Sequence, residues 1–128
     1  MKTLSLLLAL ASVLAFTAMA ADKPAKSTRL FHVVAFKFKA AATPAQIQQV
    51  VDEFRALKKK ISEVKDFSWG TNVSPEKLDK GSTHGWVLAF NSEKDRDTYL
   101  KHPEHAAFVK IAMPVIEDVF VIDYWAQE

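Results

Sequence analysis

The chain has 128 residues, 17 basic and 15 acidic side chains, and no cysteine. A formal charge of +2 is too small to make nucleic acid or an anionic membrane the main partner. With no disulfide available, stability must come from packing and assembly.

The first twenty residues stand apart from the rest. Lys2 supplies a positive charge, Leu4 to Phe16 is mostly apolar, and Ala18-Met19-Ala20 precedes the more polar Ala21-Asp22-Lys23. The apolar run is shorter than the ~20 residues a membrane span needs, and its small-residue ending predicts a secretory signal peptide cleaved after Ala20. No cysteine follows it to carry a lipid. Removing the first 20 of 128 residues leaves 108, enough for one domain, with a charge near +1 once Lys2 is gone. The mature protein is therefore expected in the periplasm or outside the cell, with no stable membrane association. Residues 21–29, containing Pro24, read as a flexible lead-in to a single domain over residues 30–126.

From Leu30 to Lys39 the pattern alternates. Leu30, His32, Val34, Phe36 and Phe38 share one face, and Phe31, Val33 and Ala35 make the other apolar as well, which predicts a strand covered on both sides. Thr43-Pro44-Ala45-Gln46 is a helix start, with Thr43 as cap, Pro44 at the first position and Gln46 completing a capping box. Ile47, Val50, Val51, Phe54, Leu57 and Ile61 follow at helical spacing, and Lys58-Lys59-Lys60 suits the C-terminal end of the dipole.

Phe67 to Val73 is predicted as a second strand, Ser74 to Ser82 as a loop, and His84 to Phe90 as a third strand. In that third strand His84, Trp86, Leu88 and Phe90 share a face. Asn91 or Ser92 caps a helix to about Lys101, which His102-Pro103 interrupts. Helix resumes from Ala106 to about Met113, and Val119 to Tyr124 is the last strand.

The order β-α-β-β-α-β predicts an α+β fold of the ferredoxin-like type with a four-stranded antiparallel sheet. Helices can cover only one face of that sheet. Strands one, three and four are apolar on both faces, so a second copy is expected to cover the other, giving a homodimer closed into an α+β barrel.

Phe90-Asn91-Ser92, leading through Tyr99-Leu100-Lys101-His102-Pro103-Glu104-His105, resembles the hallmark of the stress-responsive A/B barrel (Dabb) family. So do His32 to Phe38, Trp69 to Ser74, and Asp123-Tyr124. The resemblance runs from about Leu30 to Trp125 and implies a dimeric α+β barrel, in agreement with the two apolar faces. A plant polyketide cyclase of that family uses the second histidine of its His-Pro-x-His element with a tyrosine on the preceding helix. Those positions match His105 and Tyr99 here, and further family histidines match His32 and His84. A cavity tyrosine of the cyclase falls near Phe54, which lacks the hydroxyl, so the cyclase's substrate is not expected to carry over.

An imidazole beside a phenol in an apolar cavity can serve as an acid/base pair, giving His105 and Tyr99 a catalytic role on this reading. The alternative is structural: His102 and His105 cap the broken helix and Tyr99 is packing. Phe54, Leu88 and Phe108, with His32 and His84, are the expected ligand-contacting residues. His102 and His105 are spaced three apart, but Pro103 breaks the helix that would align them on a metal, so neither metal nor cofactor is expected. The favoured function is binding of a hydrophobic or aromatic small molecule in stress protection; the alternative is a cofactor-free, cyclase-like lyase.

Overall fold

The computed structural model describes residues 28–127. The expected signal peptide, residues 1–20, and most of the expected lead-in, residues 21–29, lie outside the described residues. The elements are β1 (Leu30–Phe38), α1 (Pro44–Lys60), β2 (Asp66–Thr71), β3 (His84–Phe90), α2 (Glu93–Lys101), α3 (Pro103–Ala112), one 3₁₀ turn (Met113–Val115) and β4 (Ile116–Trp125). The sheet is four-stranded, ordered β2-β3-β1-β4, and every neighbouring pair is antiparallel.

Local chemistry sets the element ends. At α1 the Thr43 hydroxyl accepts from the Gln46 amide (3.2 Å) and the Gln46 side chain accepts from the Thr43 amide (2.9 Å), a complete capping box. At its far end the Lys58 ammonium donates to the Val64 and Lys65 carbonyls, each at 2.9 Å, and ties the helix to the following turn. β2 starts one residue earlier and stops two residues sooner than the pattern predicts. The Asn72 side chain accepts from the Ser74 amide (2.9 Å), and that Asx turn takes the chain out of the sheet.

The second break differs from expectation too. Helix resumes at Pro103, not Ala106. His102 is extended (φ −66°, ψ 138°), closes α2 and opens α3, and its ring Nδ1 accepts from the Glu104 amide at 3.1 Å. A capping side chain followed by proline at the first helical position allows an immediate restart. β4 begins at Ile116, earlier than its apolar run suggests, because Glu117 and Asp118 still pair across to Lys37; the Glu117 carboxylate lies 3.2 Å from its ammonium.

The helices bury most of one face of the sheet, leaving Val119 and Val121 of β4 partly exposed at its edge. Val50, Val51, Phe54 and Leu57 of α1 pack on Val34, Phe36, Trp86, Leu88 and Phe90. Each large side chain so buried contributes about 1.5–3 kcal/mol. Phe54 is the hub of the aromatic core, with ring centroids 4.6 Å from Phe108, 4.9 Å from Trp86, 5.6 Å from Phe67 and 5.9 Å from Phe36.

The other face is bare and apolar. In register, Phe31 lies between Ala89 and Tyr124, Val33 between Val87 and Ile122, and Ala35 between Gly85 and Phe120. Phe120, Ile122 and Tyr124 are each about half exposed (56, 48 and 47 %).

Candidate functional site

Two depressions stand out among the described residues. The larger, about 660 Å³, lies on the bare sheet face over Gly70, Gly85 and Ala35, with Phe120 and the 72–82 loop at its margin. Its floor is glycine and alanine, which leave almost no side chain to fill it, and its lining also carries Asp79, Lys80, His84 and Asp118. The smaller, about 280 Å³, lies between α2, α3 and the helix-covered face of β1 and β4. Phe36, Phe54, Phe108, Met113, Val119 and Val121 form its apolar walls, and His32, Tyr99, His105 and Asp123 supply its polar groups.

The broken helix builds this site. Tyr99 ends α2 facing the core and is 1 % exposed, while the restart at Pro103 brings His105 back over it. Their ring centroids are 4.7 Å apart. His32, on the β1 floor, meets Tyr99 edge-on at 5.9 Å. Register sets His32 opposite Asp123, and its Nδ1 lies 2.6 Å from the Asp123 carboxylate. The second oxygen of Asp123 accepts from Nη1 of Arg96 at 2.7 Å, and Nε of Arg96 donates to Asp97 at 2.8 Å.

Of the residues expected at the site, His32, Phe54, Tyr99, His105 and Phe108 come together around this pocket. Two do not. Leu88 is sealed in the core with no exposed surface, beneath the site and not lining it. His84 shares the face of His32, but β3 pairs Leu88 with His32 and His84 with Phe36. Four residues of strand, about 13 Å, therefore separate the two histidines along the sheet. His84 sits among Trp69, Trp86 and Phe38 instead, at the rim of the larger depression.

Sequence reasoning missed Arg96 and used Asp123 only as part of a motif. The available signal was Asp123 itself, a lone carboxylate in an apolar run at a position whose parity faces inward.

Electrostatics favour uncharged partners at the centre. Burial pushes the Tyr99 phenol well above its ordinary value, so it stays a hydrogen-bond donor at any working pH. Burial lowers the pKa of His105, the Leu100 backbone carbonyl opposes that shift, and charge on His32 adds to it. His105 is thus a neutral base at neutral pH. Burial lowers His84 in the same way, and the hydrogen bonds to Asp123 and then Asp97 raise Arg96.

The two lowered histidines carry a stability consequence. A histidine in the unfolded chain titrates near 6.5. With folded values below that, the unfolded state binds more protons as the medium becomes acid. Stability is thus fully present above about pH 6.5 and lost as pH falls through the folded values. Melting at pH 5.5 is expected below that at pH 7.5, and replacing both His84 and His105 with Gln should narrow the gap. An undiminished gap in the double variant would assign the acid sensitivity to other groups.

A ferredoxin-like sheet with a histidine–tyrosine pocket under a broken helix defines the class of this protein. Residues 30–126 match the stress-responsive A/B barrel (Dabb) domain, and the chain belongs to that family. The stress-response A/B barrel domain-containing protein HS1 of Arabidopsis thaliana is 34 % identical over 93 residues, covering 73 % of this chain and 85 % of that protein. Olivetolic acid cyclase of Cannabis sativa is 29 % identical over 93 residues, covering 73 % and 92 %. Among solved structures, the hydroxynitrile lyase from Passiflora edulis is 27 % identical with a TM-score of 0.74, covering 80 % of this chain and 96 % of the lyase. A related ferredoxin-like protein from Bacteroides fragilis, 26 % identical with a TM-score of 0.63 and covering 77 % of this chain and 96 % of its own, is described as dimeric.

Proposed function

We propose that this protein is an exported homodimer that binds a neutral hydrophobic or aromatic small molecule in the pocket between its helices and sheet. The observation that carries the reading is the pocket itself. It is apolar, about 280 Å³, and holds a neutral phenol and a neutral imidazole 4.7 Å apart between centroids. Its volume is at the low end for ligand sites and suits one aromatic ring with a short alkyl tail. Export is supported by the N-terminal apolar run ending in Ala18-Met19-Ala20. Dimerisation is supported by the bare apolar sheet face and by the dimeric relative.

The same pair favours a second reading, cofactor-free proton transfer. His105 would take a proton from the carbon next to a ligand carbonyl, the electron pair would move onto the carbonyl oxygen, and the Tyr99 hydroxyl would donate to that oxygen. The resulting enolate can close on a second carbonyl, as a cyclase requires. The names of two relatives, a cyclase and a lyase, fit such chemistry.

Titration of the mature dimer with 4-propylphenol tests the binding reading. Ten non-hydrogen atoms at about 0.5 kcal/mol each give a sub-millimolar dissociation constant. Chemical shifts of His32, Tyr99 and His105 are expected to saturate together. Absence of saturable binding by this phenol and by a short series of alkyl homologues would overturn the reading. Exchange of the α-protons of 4-phenylbutan-2-one in D₂O tests the second. Catalysed exchange is expected to fall about 10²–10⁴-fold in His105→Ala, and exchange no faster than in buffer would dismiss it.

A further inference from the structure

Arg96 does not itself line the pocket, yet it reaches the site through two short contacts in series. Its Nη1 holds one oxygen of Asp123 at 2.7 Å, and the other oxygen of Asp123 holds Nδ1 of His32 at 2.6 Å. The arrangement is mostly shielded from water, with side-chain exposures of 21 % for Arg96, 20 % for Asp123 and 6 % for His32.

The donor rules fix what this does to His32. A carboxylate only accepts, so Nδ1 must carry the proton, and in the neutral ring Nε2 is then a bare acceptor. Among the described residues nothing hydrogen-bonds that Nε2. Trp86 Nε1 is the buried side-chain polar atom left sealed without a partner, so Nε2 of His32 is not sealed. It belongs to a ring lining the pocket.

The charge balance explains why the ring needs Arg96. Asp123 on its own would be a shielded carboxylate with one oxygen unheld. The Arg96 guanidinium holds that second oxygen, offsets the charge and leaves the first oxygen aimed at Nδ1 of His32. The other acid on Arg96, Asp97, is about half exposed and its charge is screened by water. The other groups facing His32 are Tyr99 from α2, a neutral donor, and His105 from α3, so neither offsets Asp123.

We infer that Arg96 is a positioning residue that, through Asp123, fixes His32 in the Nδ1–H tautomer, with Nε2 turned to the pocket to accept a hydrogen bond from the hydroxyl of a neutral phenolic or enolic ligand. The inference deepens the proposed binding site and rests on that reading for its ligand half. It also makes the site selective. With Arg96 and Asp123 paired to each other, the pocket has no spare positive charge for a carboxylate ligand, and an unpaired buried anion is costly.

Two measurements on the mature dimer decide it. Long-range ¹H–¹⁵N spectra at pH 8 should show His32 with a protonated Nδ1 and an unprotonated Nε2. In Arg96→Met the ring ¹⁵N pattern of His32 should change as Asp123 loses its anchor and the Nδ1–H tautomer is no longer held, whereas Arg96→Lys, which keeps a donor to Asp123, should stay close to the original. Binding of 4-propylphenol is compared with its methyl ether, 4-propylanisole, which can accept a hydrogen bond but not donate one. The phenol should be preferred by up to about tenfold, and Arg96→Met should erase that preference.

A His32 protonated on Nε2 at pH 8 would overturn the inference. So would an Arg96→Met variant with the His32 ring spectrum and the phenol preference both unchanged, since His105 would then be the acceptor. If neither probe binds but Arg96→Met still moves His32, the positioning role stands and the ligand reading falls.

Discussion

Gly85→Leu is expected to convert the protein into a folded monomer. On the bare sheet face Gly70, Gly85, Ala35 and Phe120 form one row across all four strands, because Gly70 pairs with Gly85, Gly85 with Ala35 and Ala35 with Phe120. The row is a trough at the β2 side and a projecting ring at the β4 side. In a dimer formed through this face, a two-fold axis would set each projecting ring over the other copy's trough, the self-complementarity that an isologous interface needs. A Cβ at Gly85 would meet nothing closer than the Val34 carbonyl at 3.9 Å, and one at Gly70 would meet nothing within 4 Å. Neither glycine has a positive φ; that role belongs to Gly81 (φ 89°). A leucine therefore fits the isolated fold and obstructs only the partner.

Phe120→Ala tests the ring side of the same contact. Losing a buried aromatic costs about 1.5–3 kcal/mol, and the axis counts it twice, so dimer affinity should weaken by at least roughly a hundredfold. Sedimentation equilibrium distinguishes the outcomes. Combining Gly85→Leu with Phe120→Ala should recover part of the association, because the smaller side chain leaves room for the new one. A Gly85→Leu protein that stays dimeric at micromolar concentration would show that copies meet through another surface.

Phe54→Ala should produce the largest loss of stability of any single truncation in the core. The ring is 1 % exposed and in contact with four other aromatics, so its removal leaves a cavity that no small side-chain shift can fill. Truncations of this kind cost about 3–5 kcal/mol, a large part of the ~5–15 kcal/mol that holds a domain together. At about 4–8 °C per kcal/mol, melting should fall by well over 10 °C. Phe54→Leu, which keeps most of the volume, should cost much less. Because Phe54 also walls the pocket, the alanine variant should accept bulkier alkylphenols than the original. A loss under about 1 kcal/mol would mean that the aromatic cluster repacks freely and does not set the pocket's shape.

Much of the fold was legible because its signals are local. The alternation of Leu30 to Phe38, the Thr43/Gln46 capping box and the His102-Pro103 break each lie within a few residues, and each forms the element its pattern implies. The bare sheet face was legible as well, since Phe31, Val33 and Ala35 stand out of phase with a strand that needs only one apolar face. What escaped depends on register between distant segments. His32 and Asp123 are 91 residues apart and Arg96 reaches them from α2, so their union requires the β1–β4 pairing and the helix position together. The same limit misplaced His84 and Leu88. Parity assigned the correct face, but a face extends over several residues of strand, and only the position of α2 and α3 shows which part of it is the pocket floor.

The most direct test is a crystal structure of the mature protein grown with 4-propylphenol. Two copies are expected, joined through their bare sheet faces, with one phenol per copy between Phe54, Phe108 and Met113 and its hydroxyl within hydrogen-bond reach of His32, Tyr99 or His105. A phenol seated instead in the depression over Gly70 and Gly85, with that sheet face left open to solvent, would contradict both the site and the assembly.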